Sequence, residues 1–275
     1  EFKGTDARKF LDHVMAGKLP KPGRISLSPM LSYRGKLYGD LTVACFDENE
    51  FMVFGSGAAQ EMHRRWFESH LDKFDVNYKN RSDEFHGISI AGPNSRKVLE
   101  KIVRDNVTNE KFKFRDSRRM FVGGVPAIIN RISFTGELGY EIYVAPHYQI
   151  KLYEELMEAG KEFNIKPFGG RALMSMRLEK NWGAWTLDYR PDFTAKETGL
   201  DMFINWDKDF IGKEKAKSEN SSNKLTPLIV ETNDIDVTSN EAVMNGDQSI
   251  GYVTSGGFAH FVNKSVAFTF IDQNK

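Results

Sequence analysis

A glycine-containing turn between two extended segments, at residues 131–144, constrains the fold of this chain more than any other stretch. We expect Arg131–Phe134 to be extended and Thr135–Gly139 to form the turn, because its two glycines can adopt backbone angles that a side chain forbids. A second strand, Tyr140–Val144, follows at once. The stretch therefore predicts an antiparallel strand pair in the middle of the chain.

The strand Tyr140–Val144 alternates in polarity. Its apolar side chains share one face with Tyr140, and Glu141 and Tyr143 share the other. Glu141 is thus a carboxylate beside a glycine turn and opposite an apolar row. It is either a solvated edge residue or a group that binds a polar ligand against the sheet, and spacing alone leaves both open.

Composition excludes several classes of protein. The chain has 275 residues with 40% hydrophobic content, and its 38 Lys and Arg residues equal its 38 Asp and Glu residues. The net charge of zero gives no electrostatic reason to expect nucleic acid or a membrane surface as partner. Cys45 is the only cysteine, so a disulfide framework and a cysteine zinc site are excluded within one chain, and a reducing compartment is expected. We predict Cys45 to be a core residue and no metal site.

Two further sequence features bear on the class of protein. No apolar run approaches the roughly 20 residues that span a bilayer, and Gly55–Gly57 lacks the third glycine and the acidic residue of a dinucleotide fingerprint. The chain begins with Glu1 rather than Met, which suggests a fragment of a longer protein.

Helical and strand-like segments alternate, which predicts an α+β fold with antiparallel sheets and helices. The polar stretch Ser218–Asn223 is the best domain boundary in the sequence. It separates a domain at 1–217 from a C-terminal β unit at 224–275. In this unit we expect strands at Leu225–Glu231, Ile250–Ser255 and Ser265–Ile271, with Gly256, Gly257 and His260 in a loop. Another strand is predicted at Leu200–Trp206.

Two charged residues invite a functional interpretation. Asp40 follows Gly39 inside a predicted strand, where aspartate is disfavoured; it is either an exposed edge carboxylate or a group facing a pocket. Arg171 begins a predicted helix, where a cation opposes the helix dipole, so it needs an anionic partner from the protein or from a ligand.

Seven stretches in order resemble one family, the folate-dependent aminomethyltransferases represented by the T-protein of the glycine cleavage system. They cover nearly all of the chain and are Ser28–Leu31, Gly39–Thr42, Gly87–Ser95, Phe134–Glu141, Gly170–Glu179, Lys208–Glu214 and Gly251–Gly257. Four more stretches are most similar to the C-terminal folate module of dimethylglycine and sarcosine dehydrogenases: Trp182–Trp185, Asp188–Pro191, Glu197–Leu200 and Trp206–Phe210.

The resemblance implies a T-protein-like fold, with subdomains arranged as a ring around a folate channel and a small C-terminal β-barrel. It implies that Glu141 accepts hydrogen bonds from the pterin, that Arg171 binds the folate glutamate or supports the pterin wall, and that the catalytic Asp40 lies by the reacting nitrogens. The residues implied to pack on the ring are Met30, Tyr38 and Trp182. Phe134 stands where the family often has tyrosine, so a hydroxyl contact is absent.

The implied activity is transfer of a one-carbon unit from a small N-methylated amine, of dimethylglycine or sarcosine type, to tetrahydrofolate, giving 5,10-methylenetetrahydrofolate. FAD would belong to a flavin domain or subunit outside this chain. The alternatives are a stand-alone aminomethyltransferase with a lipoyl carrier protein as partner, a folate-dependent demethylase, and a folate-binding regulatory protein without catalysis. The implied compartment is the bacterial cytoplasm, or the mitochondrial matrix in a eukaryote.

Overall fold

The computed structural model describes residues 1–275 and contains three antiparallel sheets. Two of them precede the polar stretch Ser218–Asn223, and the third follows it. Each sheet buries one face against its own helices or against the helices that connect it to its neighbours. The predicted α+β class is confirmed, because neighbouring strands in each sheet are antiparallel and helices alternate with the strands along the chain.

The first sheet has five strands in the order β2-β3-β4-β1-β5. The first helix buries the apolar stripe expected from its period, which includes Phe10, Leu11 and Val14, against this sheet. Cys45 lies in the same core and is fully buried, as predicted. The bounds are β1 Phe2–Lys3, α1 Ala7–Val14, β2 Arg24–Leu31, β3 Leu37–Asp47, β4 Glu50–Phe54, α2 Gln60–Glu68 and β5 Asn77–Tyr78.

The second sheet has four strands in the order β6-β9-β8-β7, and two helices cover one of its faces. The predicted alternation of the central strand is confirmed, because Tyr140, Ile142 and Val144 are fully buried beneath these helices. The bounds are β6 His86–Ala91, α3 Ser95–Ile102, β7 Ser117–Val122, β8 Val125–Asn130, β9 Gly139–Val144 and α4 Gln149–Gly160.

The predicted strand at Arg131–Phe134 is wrong. The strand that precedes the turn and pairs with β9 is β8, which ends at Asn130, and residues 131–138 form an irregular loop. The chain leaves the sheet here because the guanidinium of Arg131 is buried and donates to the carbonyl of Phe112 and the side chain of Asn109. Gly136 adopts a φ of 82°, as the predicted turn requires.

A helical segment joins the second sheet to the third. It contains α5 Gly170–Glu179, α6 Ala195–Thr198 and α7 Lys213–Lys217. The strand predicted at Leu200–Trp206 is wrong, because Leu200–Phe203 is a short 3-10 helix that follows Gly199 in the left-handed conformation. The fully buried Leu200 explains why the apolar pattern there resembled a strand.

The third sheet has the order β10-β13-β12-β11 and does not close into a barrel. The glycines predicted to lie in a loop are instead inside β12, where Gly256 pairs with Ala267 and Gly257 with Val266. A Cβ on Gly256 would lie 2.4 Å from the carbonyl oxygen of Val237, so the glycine permits a close backbone approach. The bounds are β10 Asn223–Val230, β11 Ala242–Asn245, β12 Gln248–Ala259 and β13 Lys264–Asp272.

Contacts connect the first sheet to the second sheet and, through the segment that contains Phe193, to the third. Phe54 of the first sheet packs on Tyr143 of the second, with ring centroids 4.4 Å apart. Helix α5 packs on the third sheet, and Phe193 stacks on Phe270 at 3.8 Å while its carbonyl accepts from the amide of Leu37 in the first sheet. No helix combines the length and apolar character needed to cross a bilayer.

Candidate functional site

Glu141 lies in a polar row that crosses the second sheet. Asn130 of β8 and Ser89 of β6 are its direct partners across the strands, so the three side chains share the face that α3 and α4 leave uncovered. Asn130 is fully buried, and its amide oxygen accepts from the hydroxyl of Ser117 at 2.7 Å. Its Nδ2 has no hydrogen-bond partner, so the row carries an open donor next to a carboxylate.

The Glu141 carboxylate has one protein hydrogen bond, which the hydroxyl of Tyr143 donates at 2.9 Å. Burial raises the pKa of Glu141, while the Tyr143 hydrogen bond and the charge of Lys180 act to lower it. A carboxylate can accept about four hydrogen bonds. Glu141 is half-buried and therefore combines partial desolvation with free acceptor positions, which suits a ligand that presents several N–H groups.

Lys180 follows α5 and reaches the same region. Its ammonium donates to the carbonyl of Ser133 at 2.7 Å and lies 5.0 Å from the centre of the Trp182 ring. Burial lowers the pKa of Lys180, and the neighbouring Glu141 charge raises it. Sequence reasoning did not assign Lys180 to the site, because its position relative to Glu141 depends on how α5 packs against the loop after β8.

Asp40 lies on β3, opposite Pro29. Burial raises the pKa of Asp40 to about 7, and no basic side chain pairs with it. Burial raises the pKa of the nearby Tyr189, and the Asp40 charge adds to that rise. Of the two interpretations open at the sequence level, an exposed edge carboxylate does not fit this desolvated position.

The segment 181–189 carries two aromatic side chains at the site: Tyr189 lies near Asp40, and Trp182 lies near Lys180. The Tyr189 hydroxyl accepts from the amide of Gly183 at 3.0 Å, and the Trp182 ring meets the Tyr189 ring edge-on at 6.2 Å. A Cβ on Gly183 would lie 2.4 Å from the Tyr189 ring, so this packing requires glycine. The segment thus connects the Asp40 side to Lys180 and Glu141.

A buried ion pair fixes this segment. Arg177 of α5 pairs with Asp188, and their side chains are 1% and 0% exposed. Asp188 also accepts from the amide of Ala184 at 2.9 Å and from the hydroxyls of Thr254 and Ser255 in β12, the latter at 2.6 Å. One carboxylate therefore joins the aromatic segment to the third sheet. Sequence reasoning missed this pair.

The remaining residues implied by the resemblance fall into different environments. Met30 lies opposite Gly39 in the sheet and is fully buried in the first core, on the other face from Asp40. Tyr38 and Trp182 are half-buried, and the Tyr38 ring packs on Trp66 at 4.4 Å. Phe134 is half-buried in the loop after β8, and Arg171 is exposed with no carboxylate partner.

A cavity of about 480 Å³ opens where the first sheet meets the second. Its lining includes His63, Phe54 and Tyr143, so the residue that donates to Glu141 forms part of its wall. Glu141 and Asp40 are not in the lining themselves. His63 is buried, and one ring nitrogen lies 2.9 Å from the carbonyl of Tyr38.

We expect Asp40→Asn to stabilise the protein in a pH-dependent way. The folded pKa of about 7 exceeds the ordinary 3.8, so the folded state holds the proton more tightly and the stability of the wild type falls as pH rises through that window. The variant does not titrate there. Its gain in free energy of unfolding should grow from near zero below the ordinary pKa to roughly 1–3 kcal/mol above the folded one. Urea unfolding at several pH values measures the difference in free energy of unfolding between variant and wild type. Asp234→Asn, at an exposed position, is the control. A difference that does not change with pH would contradict the raised pKa of Asp40.

Comparison with known proteins gives two family matches. Residues 1–208 match the GCVT N-terminal domain, and residues 223–275 match the glycine cleavage T-protein C-terminal barrel domain. The chain is 36% identical to mitochondrial dimethylglycine dehydrogenase of Homo sapiens over 98% of the chain but only 32% of that protein. It is 29% identical to an aminomethyltransferase of Thermoanaerobacter pseudethanolicus, covering 98% of the chain and 74% of that enzyme.

Among solved structures, the glycine cleavage system aminomethyltransferase T of Bartonella henselae matches with a TM-score of 0.87 at 22% identity. The alignment covers 98% of this chain and 74% of that one, which confirms the fold. The chain spans about a third of the length of its dehydrogenase relatives. The family resemblance drawn from the sequence motifs is confirmed by the two family matches.

Proposed function

Because the chain belongs to the glycine cleavage T-protein family, we propose that it binds tetrahydrofolate and transfers a one-carbon unit to it from a small N-methylated amine. In this proposal the chain is the folate module of an enzyme of dimethylglycine or sarcosine dehydrogenase type. A flavin domain or subunit outside the chain would carry out the oxidation. The 36% identity to dimethylglycine dehydrogenase supports this choice.

One observation carries the proposal: Glu141 is a desolvated carboxylate with a single protein hydrogen bond, next to the unpartnered amide of Asn130. A pterin edge presents an amino group and ring N–H groups together with a carbonyl oxygen. Glu141 would accept from the N–H groups, and Asn130 Nδ2 would donate to the oxygen. The residues thus fit the group, and the half-buried Trp182 would cover its flat face.

A bound tetrahydrofolate supplies the nucleophilic nitrogens that capture the one-carbon unit. The chain's own contribution would be to orient it and to control charge. Asp40, with a pKa of about 7, would hold or release a proton near neutral pH and stabilise positive charge on the amine. Arg171 has no carboxylate partner within the chain, which leaves it free for the folate glutamate. Division of the chain at 217/224 and a reducing compartment remain part of this proposal.

Transfer kinetics test the role of Asp40. With the flavin component present, we expect Asp40→Asn to slow conversion of an isotopically labelled N-methyl group into 5,10-methylenetetrahydrofolate by roughly 100-fold, because the variant loses charge but keeps its bulk. Tetrahydrofolate affinity, measured by calorimetry, should change little. Full transfer activity in the variant would remove Asp40 from the chemistry.

Aminomethyltransferase activity is the alternative that the matches favour next, since the chain covers 74% of such a relative. It predicts that an aminomethylated lipoyl carrier protein donates the one-carbon unit without any flavin. Assaying both donors against the same chain separates the two activities. If tetrahydrofolate binds but neither donor reacts, the regulatory folate-binding alternative is favoured.

A further inference from the structure

The helix-covered side of the second sheet carries a second polar cluster, formed by Arg96 of α3, Arg131 after β8 and Tyr140 of β9. Alternation along β9 turns Tyr140 to the face opposite Glu141, so this cluster is separate from the proposed folate site. The Tyr140 ring stacks on Phe112 at 5.8 Å, which fixes the direction of its hydroxyl. An inference about this cluster does not depend on the proposed function.

Several strong donors in the cluster are buried without partners. The terminal nitrogens of Arg131 donate to Phe112 O at 2.5 Å and to Asn109 at 2.7 Å, but its Nε has no partner. The Tyr140 hydroxyl is fully buried and makes no hydrogen bond of good geometry, although the Arg96 side chain lies near it: burial raises the pKa of Tyr140, and Arg96 acts to lower it. Arg96 adds its Nε and one terminal nitrogen, both buried and without partners. Leaving such groups unmatched is costly, so their concentration at one place indicates a missing acceptor.

The charges around Arg96 and Arg131 also favour a bound anion. Neither Arg96 nor Arg131 forms an ion pair within the chain. Burial and the neighbouring Arg96 charge both lower the pKa of Arg131. Asp116 is occupied by Arg24 and by the amide of Lys113, and the exposed Glu110 bonds to groups of its own loop. The charges of Glu110 and Asp116 therefore act on these guanidinium groups only from a distance, and no carboxylate is in direct contact with Arg96 or Arg131.

We propose that Arg96, Arg131 and Tyr140 form a binding site for a small oxyanion of the phosphate or sulfate type. The cluster offers four open donors from two guanidinium groups and one hydroxyl. A tetrahedral oxyanion has enough acceptor oxygens for all four, and arginine is the side chain best suited to bind it. A carboxylate can also accept about four hydrogen bonds, but its two oxygens accept them in one plane, whereas the oxygens of a tetrahedral oxyanion point in four directions.

The experiment uses inorganic phosphate as the probe, followed by calorimetry and by thermal unfolding at constant ionic strength. We expect saturable binding and a rise in Tm for the wild type. Arg96→Gln should weaken phosphate binding by roughly tenfold, because it removes one charge-assisted contact from a half-exposed position. Tyr140→Phe removes only the hydroxyl and should weaken binding by about threefold. Acetate titration tests the preference against carboxylates.

Lys97→Gln is the matched control, because Lys97 is the exposed neighbour of Arg96 on α3 and its substitution removes the same charge. It should bind phosphate as the wild type does, and it corrects for the general stabilising effect of phosphate on folded proteins. Equal responses of the Arg96 and Lys97 variants would overturn the proposal, as would the absence of saturable binding in the wild type. In those cases ordered water, not an anion, would satisfy these donors. Circular dichroism verifies that each variant is folded.

Discussion

Glu141→Gln is expected to weaken tetrahydrofolate binding by about 100-fold or more. The wild-type carboxylate would accept charge-assisted hydrogen bonds from the pterin N–H groups in a desolvated position, where such bonds are strong. Glutamine keeps the shape but replaces one acceptor oxygen with an NH2 group that faces the pterin donors. Calorimetric titration of the purified chain with tetrahydrofolate measures the change directly.

Two variants make this result interpretable. Glu137→Gln removes the same charge from an exposed position in the loop that precedes β9 and should leave affinity unchanged. Tyr143→Phe removes the one protein hydrogen bond to Glu141, and we expect a threefold to tenfold loss because the carboxylate is then less well oriented. Unchanged affinity in Glu141→Gln would refute its role as the pterin acceptor, whatever the other two variants show.

Sequence reasoning located Glu141 because one strand determines its face. The apolar residues at 140, 142 and 144 must be buried together, so period 2 fixes Glu141 on the other side. The sequence could not show whether that face is exposed to solvent, because the residues that shield it come from distant segments. Lys180 arrives from α5 and Asn130 from β8. Local spacing in the sequence carries no information about which distant residues come into contact.

The wrong strand predictions share a physical cause, which is tertiary context that overrides local pattern. Arg131 leaves the sheet to bury its guanidinium against Phe112 and Asn109. Gly256 was assigned to a loop by composition, yet it sits in β12 where the Val237 backbone approaches closely. A glycine marks either a turn or a close contact, and only the partner strand decides between them.

The buried pair of Arg177 and Asp188 was invisible for the same reason, and it gives the second large prediction. We expect Asp188→Ala to lower the free energy of unfolding by about 3–5 kcal/mol, because it leaves a fully buried guanidinium without its counterion. The hydroxyls of Thr254 and Ser255 lose their acceptor as well. Chemical denaturation of the purified chain measures the loss.

The double variant Arg177→Met with Asp188→Leu separates charge from packing. If the cost comes from the unpaired charge, removing both partners should restore much of the stability, since apolar residues can replace a buried pair at little cost. The exposed Asp192, 3.9 Å from Arg190, is the control; Asp192→Ala should cost less than about 1 kcal/mol. A loss for Asp188→Ala no greater than this control would contradict the role of Asp188. Because Asp188 also fixes residues 181–189, we expect both Asp188→Ala and the double variant to bind tetrahydrofolate more weakly than the wild type. Recovery of stability without recovery of affinity in the double variant would show that this carboxylate orients the aromatic residues of 181–189 as well as stabilising the fold.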